Sequence, residues 1–312
     1  MKLSTSLSDF GEFAPLQTPR IALFADSKFK YFNISIGGDM YTCDDEDAWK
    51  VRSTEWKDAI DAIGRQAVIA HAPGTNPFGK GKEHYDQCVK VLKRVIKGAA
   101  ILGVKDLVVH AGFNSNFTGY EFMKENKRFY RDILDTAAEC DVHILTENMD
   151  SFTYYPLSTG AEMRELIDFI DHPYMGACWD TAHANINKKV KREGDQYKSI
   201  IAMGDKLRGL HVADNFGAET QHHHSWPFAG NINWDSVMQG LVDIGYKGYF
   251  NYEASYTLQH HAHPHNGRKP FEHNGETITK LYDPSFELKK QAVDLIYEVG
   301  KHILTTYDVF EE

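Results

Sequence analysis

The stretch Gly176-Ala-Cys-Trp-Asp-Thr-Ala-His183 decides how the rest of the chain is read. Residues 174 to 179 are apolar or small, as in a parallel strand buried on both faces, and the run ends in Asp180 with His183 three positions later. A carboxylate at the end of a buried strand needs a reason. In α/β proteins the carboxyl ends of strands are where side chains converge on ligand, so Asp180 and His183 are placed for chemistry rather than packing. The ending recurs along the chain. Strand-like runs close on His71 (Ala67-Val-Ile-Ala-His71), His110 (Asp106-Leu-Val-Val-His110), Glu147 (His143-Ile-Leu-Thr-Glu147), His211 (Arg208-Gly-Leu-His211) and Glu253 (Tyr249-Phe-Asn-Tyr-Glu253). A ring of imidazoles and carboxylates at strand ends is what a metal centre at the top of a β/α barrel requires.

Outward from that stretch, strands and helices alternate. Lys2-Leu-Ser-Thr-Ser-Leu7 reads as a first strand, residues 16 to 28 as a short helix and Tyr31-Phe-Asn-Ile-Ser-Ile36 as a second strand, broken by Gly37-Gly38. A helix is expected over Asp44 to Ile63, another over 82 to 102 and a third over Gly119 to Cys140. The second carries Val89, Leu92, Val95, Ile96 and Ala99 at three- and four-residue steps before Gly103. Further helices are expected at Ala161 to Ile170, Tyr197 to Leu207, Ile232 to Gly245 and Asp283 to Thr306, each beside a strand. Eight strands alternating with helices predict one (β/α)₈ TIM barrel over residues 1–312. An open doubly wound sheet would more usually carry a glycine-rich phosphate loop after the first strand, and the chain has none there. Two connections are long, 214–231 and 254–282, and both follow strands, on the catalytic face. The second holds His260, His261, His263 and His265 in the run 259–265, which reads as a solvated loop ahead of a second metal site, with a lid or a subunit contact as the functional alternative.

With 312 residues, 42% of them hydrophobic, the chain can bury a sizeable core. Its four cysteines are widely spaced, which points to reduced thiols rather than a zinc knuckle or redox couple. Met1-Lys-Leu-Ser-Thr-Ser-Leu7 is too short and polar for a signal-peptide core and no run has the length of a membrane span, so a cytoplasmic protein with no membrane partner is expected. A net charge of −10 lacks the electrostatic footprint of a nucleic-acid binder. Mixed carboxylate and imidazole ligation suits Mn²⁺, Mg²⁺, Co²⁺ or Zn²⁺ without ranking them, and Mn²⁺ is the ion expected first.

Leu145-Thr-Glu-Asn148, Trp179-Asp-Thr-Ala-His183, Leu210-His-Val-Ala-Asp214, Pro227-Phe-Ala-Gly-Asn-Ile-Asn-Trp234 and Tyr246-Lys-Gly-Tyr-Phe-Asn-Tyr-Glu253 together resemble the motifs of the xylose-isomerase-like barrel superfamily of sugar and sugar-phosphate isomerases and epimerases. That resemblance implies that Glu147, Asp180, His211 and Glu253 hold one divalent ion and that the two glutamates double as the acid/base pair. It implies that His183 and His224 bind substrate oxygens. His71, His110 and Trp226 complete the expected substrate wall.

The implied chemistry is proton abstraction next to a metal-bound carbonyl through an enediolate, giving isomerisation or epimerisation of a small-molecule sugar. Elimination from the same intermediate would make the chain a lyase on a keto-sugar or keto-glycoside, similar to a dehydratase or to the large subunit of the C-glycoside deglycosidases. One departure keeps that alternative open: ketose 3-epimerases carry an arginine six residues after the metal-binding histidine, where this chain has Gly217. The absence of a Lys/Arg cluster at the helix start after strand eight favours an unphosphorylated substrate. A third reading resembles endonuclease IV, whose ligand positions match His71, His110, Glu147, Asp180, His183, His211, His224 and Glu253, with His222 in place of its remaining aspartate. A homo-oligomer or a smaller partner subunit is compatible with all three.

Overall fold

Each apolar run bounded by turn residues becomes one strand of a parallel barrel. The computed structural model describes residues 1–43, 45–150, 156–218, 223–255, 257–261 and 269–312. In chain order it runs β1 (Lys2–Ser6), α1 (Gln17–Ala22), β2 (Tyr31–Ser35), α2 (Asp39–Thr42), α3 (Ala48–Ala62) and β3 (Gln66–His71). There follow α4 (Lys82–Ile101), β4 (Asp106–Val108), α5 (Gly119–Glu139), β5 (His143–Glu147), α6 (Gly160–Ile170) and β6 (Met175–Asp180). The last third holds α7 (Thr181–Ile186), α8 (Lys188–Glu193), α9 (Tyr197–Met203), β7 (Leu207–His211), α10 (Trp234–Asp243), β8 (Tyr249–Asn251), β9 (Phe271–His273), β10 (Glu276–Ile278) and α11 (Phe286–Thr306).

The strands pair in parallel in the order β7-β6-β5-β4-β3-β2-β1-β8. At the remaining seam a parallel bridge joins Val212 to Tyr252, with Val212 N–H donating to the Asn251 carbonyl (2.8 Å) and Glu253 N–H to the Val212 carbonyl (3.1 Å). The (β/α)₈ expectation holds. Parallel β/α order forces every strand to end on the same face, which is why the residues at strand ends share one mouth.

Differences from the sequence reading are local. The helix expected over 16–28 stops at Ala22, because the chain tightens into three-residue turns: the N–H groups of Leu23, Phe24 and Ala25 bond to the carbonyls of Arg20, Ile21 and Ala22. The helix expected from Asp44 begins at Ala48, and Asp44 lies outside the described residues. The helices α7 and α8 follow β6 directly and are too short to show apolar periodicity in sequence. Within 254–282 the exposed antiparallel hairpin β9–β10 replaces part of the expected loop. His263 and His265 lie outside the described residues.

Inside the barrel, Ile69, Val108, Leu145 and Cys178 form a small apolar cluster of their own beneath the ends of β3 to β6. Below β1, β2 and β8 the filling is hydrogen-bonded instead. Ser4 Oγ bonds to Asn251 Oδ1, Asn33 Nδ2 donates to Asn251 Oδ1 (3.3 Å) and Asn251 Nδ2 donates to the Leu210 carbonyl (3.1 Å). No helix among the described residues is long and apolar enough to cross a membrane.

Candidate metal centre

Glu147, Asp180, His211 and Glu253 end β5 and β6, end β7 and follow β8, and one ligand-capable atom from each lies within 4.8 Å of the others. Asp180 is fully buried, Glu147 and His211 are 1% exposed, and the Glu253 side chain reaches the mouth at 31%. His211 Nδ1 stands 2.8 Å from Glu147 Oε1 and 3.3 Å from Glu253 Oε2. Three carboxylates and an imidazole are a donor set for a divalent cation of the Mn²⁺, Mg²⁺, Co²⁺ or Zn²⁺ kind.

Asp180 supplies the sharpest test of that fit. It caps α7, with Oδ1 accepting the His183 N–H at 2.6 Å, while the buried Oδ2 has no hydrogen-bond partner among the described residues. An unmade bond at a buried acceptor costs about 1–3 kcal/mol. A cation held by the four groups removes that cost, so the residues present fit the ion.

Asn148 holds the arrangement together, a role the sequence reading did not assign. Its Oδ1 accepts the Asp180 N–H (2.7 Å), its Nδ2 donates to the Asp180 carbonyl (2.9 Å), and its own carbonyl meets His183 Nδ1 (2.9 Å). The visible signal was its place directly after Glu147, a buried amide that β5 alone cannot satisfy.

The four remaining histidines flank the quartet in two pairs. His110 Nε2 sits 2.9 Å from Glu147 Oε2, and His71 Nε2 lies 3.5 Å from that oxygen and 3.1 Å from His110 Nε2. On the other side the His183 and His224 rings meet edge-on at 5.3 Å, and Asp180, His183 and His224 also bring ligand-capable atoms together. His224 Nδ1 lies 3.1 Å from the Glu253 carbonyl.

Burial pushes the Glu147 carboxyl up, but the charge of His211 and hydrogen bonds from His110, His211 and His71 outweigh it and hold that carboxyl well below the ordinary range. Burial likewise works against the protonated His211 ring, and Cys178, Glu253 and Glu147 overcome it, raising His211 well above an ordinary imidazole. The centre therefore attracts positive charge.

Asp214 orders the loop after β7. Its Oδ2 accepts from Phe228 N–H (3.0 Å) and Trp234 Nε1 (3.0 Å), and its Oδ1 from Ile232 N–H (3.2 Å). A side chain at Gly230 would collide with Asp214 Oδ1 and the Asn215 carbonyl, both 2.3 Å from where its Cβ would lie. Trp226 packs half-buried against the main core and, among the described residues, makes no hydrogen bond or ring contact with the histidines. Gly217 adopts φ +70° beside Asn185 and Asn231, and His222 lies outside the described residues.

The eight-stranded barrel with this ring of strand-end imidazoles and carboxylates has a matching family. Residues 21–277 match the xylose isomerase-like TIM barrel pattern. The chain belongs to that family. Among its relatives, D-psicose 3-epimerase of Enterocloster bolteae is 30% identical over 121 residues, covering 39% of this chain and 36% of that one. A probable endonuclease 4 of Staphylococcus carnosus is 26% identical over 191 residues, 58% of this chain and 63% of that one. The chain spans less than two thirds of the length of the curated relatives it matches. The fold is shared over nearly its whole length with the structure of D-psicose 3-epimerase from Clostridium cellulolyticum H10, at a TM-score of 0.74 and 16% identity, covering 97% of this chain and 99% of that one.

Proposed function

We propose that this family member is a divalent-metal-dependent sugar isomerase or epimerase that moves a proton at the carbon next to a carbonyl. The observation that carries the proposal is the convergence of Glu147, Asp180, His211 and Glu253 from four neighbouring strand ends, with Asp180 Oδ2 left without a hydrogen-bond partner among the described residues. Bound there, a divalent cation supplies Lewis-acid polarisation of a substrate carbonyl. Glu147 and Glu253 then serve as the proton-transfer pair, one taking the proton and the other returning it. Glu253, the more exposed, lies open to solvent at the mouth, whereas Glu147 is kept ionised by the imidazoles around it. His183 and His224 bind substrate hydroxyls beside Glu253, and His71, His110 and Trp226 line the substrate space. The likeness to sugar 3-epimerases supports this substrate class.

The test is proton exchange from D₂O into a panel of ketoses, aldoses and keto-glycosides with the Mn²⁺-loaded protein. Exchange with return of an isomer or epimer is expected. Exchange followed by loss of a leaving group would establish the lyase reading, and no exchange with any of them would refute both.

A second reading, DNA repair of the endonuclease IV kind, rests on the two flanking groups, His71 with Glu147 and His211, and Asp180 with His183 and His224, which could hold further ions. The net charge of −10 opposes it. Three zinc ions per chain in the barrel mouth, with cleavage of abasic DNA, would favour it over the sugar reading.

A further inference from the structure

A second group of histidine and carboxylate, sharing no residue with the barrel mouth quartet, lies at the base of the connection between β8 and α11. His261 Nδ1 and His260 Nε2 stand 2.5 and 3.1 Å from the same oxygen, Asp283 Oδ2, and the other carboxylate oxygen accepts the His261 backbone N–H at 2.5 Å. Neighbouring residues on an extended chain send their side chains to opposite sides. Here the two rings instead lie 4.4 Å apart on one side, after Leu258 has turned the backbone through a left-handed conformation (φ +48°). His261 is further fixed by stacking on Tyr282 at 4.6 Å and His260 by an edge contact with Phe13 at 5.8 Å.

What this group closes is the second observation. Every residue from 269 to 281 is exposed, including all six residues of β9 and β10 and the apolar side chains of Phe271, Ile278 and Leu281. An isolated two-stranded hairpin is at best marginally stable in water, and a segment without a core of its own needs a staple. Among the described residues His260 and His261 meet Asp283 across its two ends, with Tyr282 stacked on His261 and Lys289 Nζ bonded to the Thr257 carbonyl beside them.

We propose that His260, His261 and Asp283 form a divalent-cation site of zinc type that clamps the base of the β9–β10 excursion. Two imidazoles and one carboxylate, with water in the remaining position, are a ligand set zinc accepts. Zinc holds such ligands at about 2.0–2.2 Å, which places tetrahedral neighbours about 3.3–3.6 Å apart. The His260–Asp283 spacing is already close to that, and His261 has to withdraw from the carboxylate by about 1 Å. The Asp283 carboxylate is oriented by the His261 amide, the kind of supporting contact that pre-forms a metal site. The site is separate from the proposed chemistry and does not depend on it.

The probe is Zn²⁺ alone, on the full chain. Wild type and the double variant His260→Ala/His261→Ala are saturated with Zn²⁺, freed of excess, and their metal counted by elemental analysis. Wild type is expected to carry one more ion per chain than the variant, however many ions the barrel mouth holds. Limited proteolysis within 269–281 is expected to slow about tenfold or more when Zn²⁺ is added to wild type, with no change in the variant. Equal ion counts in the two proteins would overturn the proposal. So would a cleavage rate in wild type that ignores Zn²⁺, or protection that follows protein concentration instead, which would assign the hairpin to a second copy of the chain.

Discussion

Glu147 and Asp9 are both carboxylates buried at the top of the barrel, exposed by 1% and 2%, and they titrate in opposite directions. Around Glu147 three imidazoles lie within 3.5 Å of a carboxylate oxygen, and together they overcome the burial that would otherwise raise its pKa. Asp9, in the turn after β1, has a hydrogen bond from Thr5 Oγ1 (2.5 Å) and the more distant charge of buried Lys289. There burial wins, with Lys289 and Thr5 opposing it, and the carboxyl is pushed up to about 6. Equal burial thus gives an ionised carboxylate at one strand end and a reluctant acid after another. What separates them is how many donors the neighbouring strands bring into contact.

The largest effect should come from removing charge on the ligand side of that contrast. Glu147→Gln and Glu253→Gln keep shape and one oxygen but lose the base, so turnover should fall by roughly 10²- to 10⁴-fold. Solvent-deuterium incorporation should vanish in at least one of the two. Wild-type exchange in both variants, with metal still bound, would refute proton transfer by these residues.

On the other side, the pH dependence of stability should report Asp9. Its folded pKa is above the unfolded value, so the folded state holds the extra proton between about pH 4 and 6, and stability declines as pH rises through that window. The shift corresponds to a change on the order of 3 kcal/mol. Asp9→Asn should flatten this slope in urea titrations run at pH 4 to 7, and an unchanged slope would remove Asp9 as its source.

Metal removal sharpens the comparison, because Glu147 stands in a group of four convergent ligand-type side chains and Asp9 does not. Free Mn²⁺ at a hundred times its Kd should stabilise the fold by about 2.7 kcal/mol, read as a rise in thermal midpoint that a chelator reverses. Asp180→Asn should abolish most of that response. A response as large as in wild type would show that Asp180 is no ligand.

The smallest effects belong to the flanking groups. His183→Ala and His224→Ala should lower turnover by about 10- to 100-fold while the ion stays in place. Loss of the ion in either variant, measured by elemental analysis, would move that histidine from substrate binding to metal binding.

The strand ends were legible in the sequence because a buried run that stops on Asp180, His211 or Glu147 is a local pattern, visible within a few residues. The helices α4, α5 and α11 were legible for the same reason, each long enough to show its period. Short pieces such as α7 and α8 were not, and neither was the hairpin β9–β10, whose few residues carry no periodicity that outweighs the surrounding polar loop. Asn148 was quoted in a motif yet left without a role, because its partners Asp180 and His183 lie more than thirty positions away.

The sequence by itself thus determined the alternation of strands and helices, the shared end on which the ligand-type residues lie, and the chemical kind of each. Local composition and spacing carry all of these. Only the tertiary structure decided that Asp180 offers one oxygen to α7 and leaves the other bare, that three imidazoles gather on Glu147 while Asp9 receives a single hydroxyl, and that His260 and His261 turn to one side toward Asp283. Those outcomes depend on the barrel closing and on which residues far apart in the chain it brings into contact, because the number of charges and donors around a buried group decides whether burial prevails.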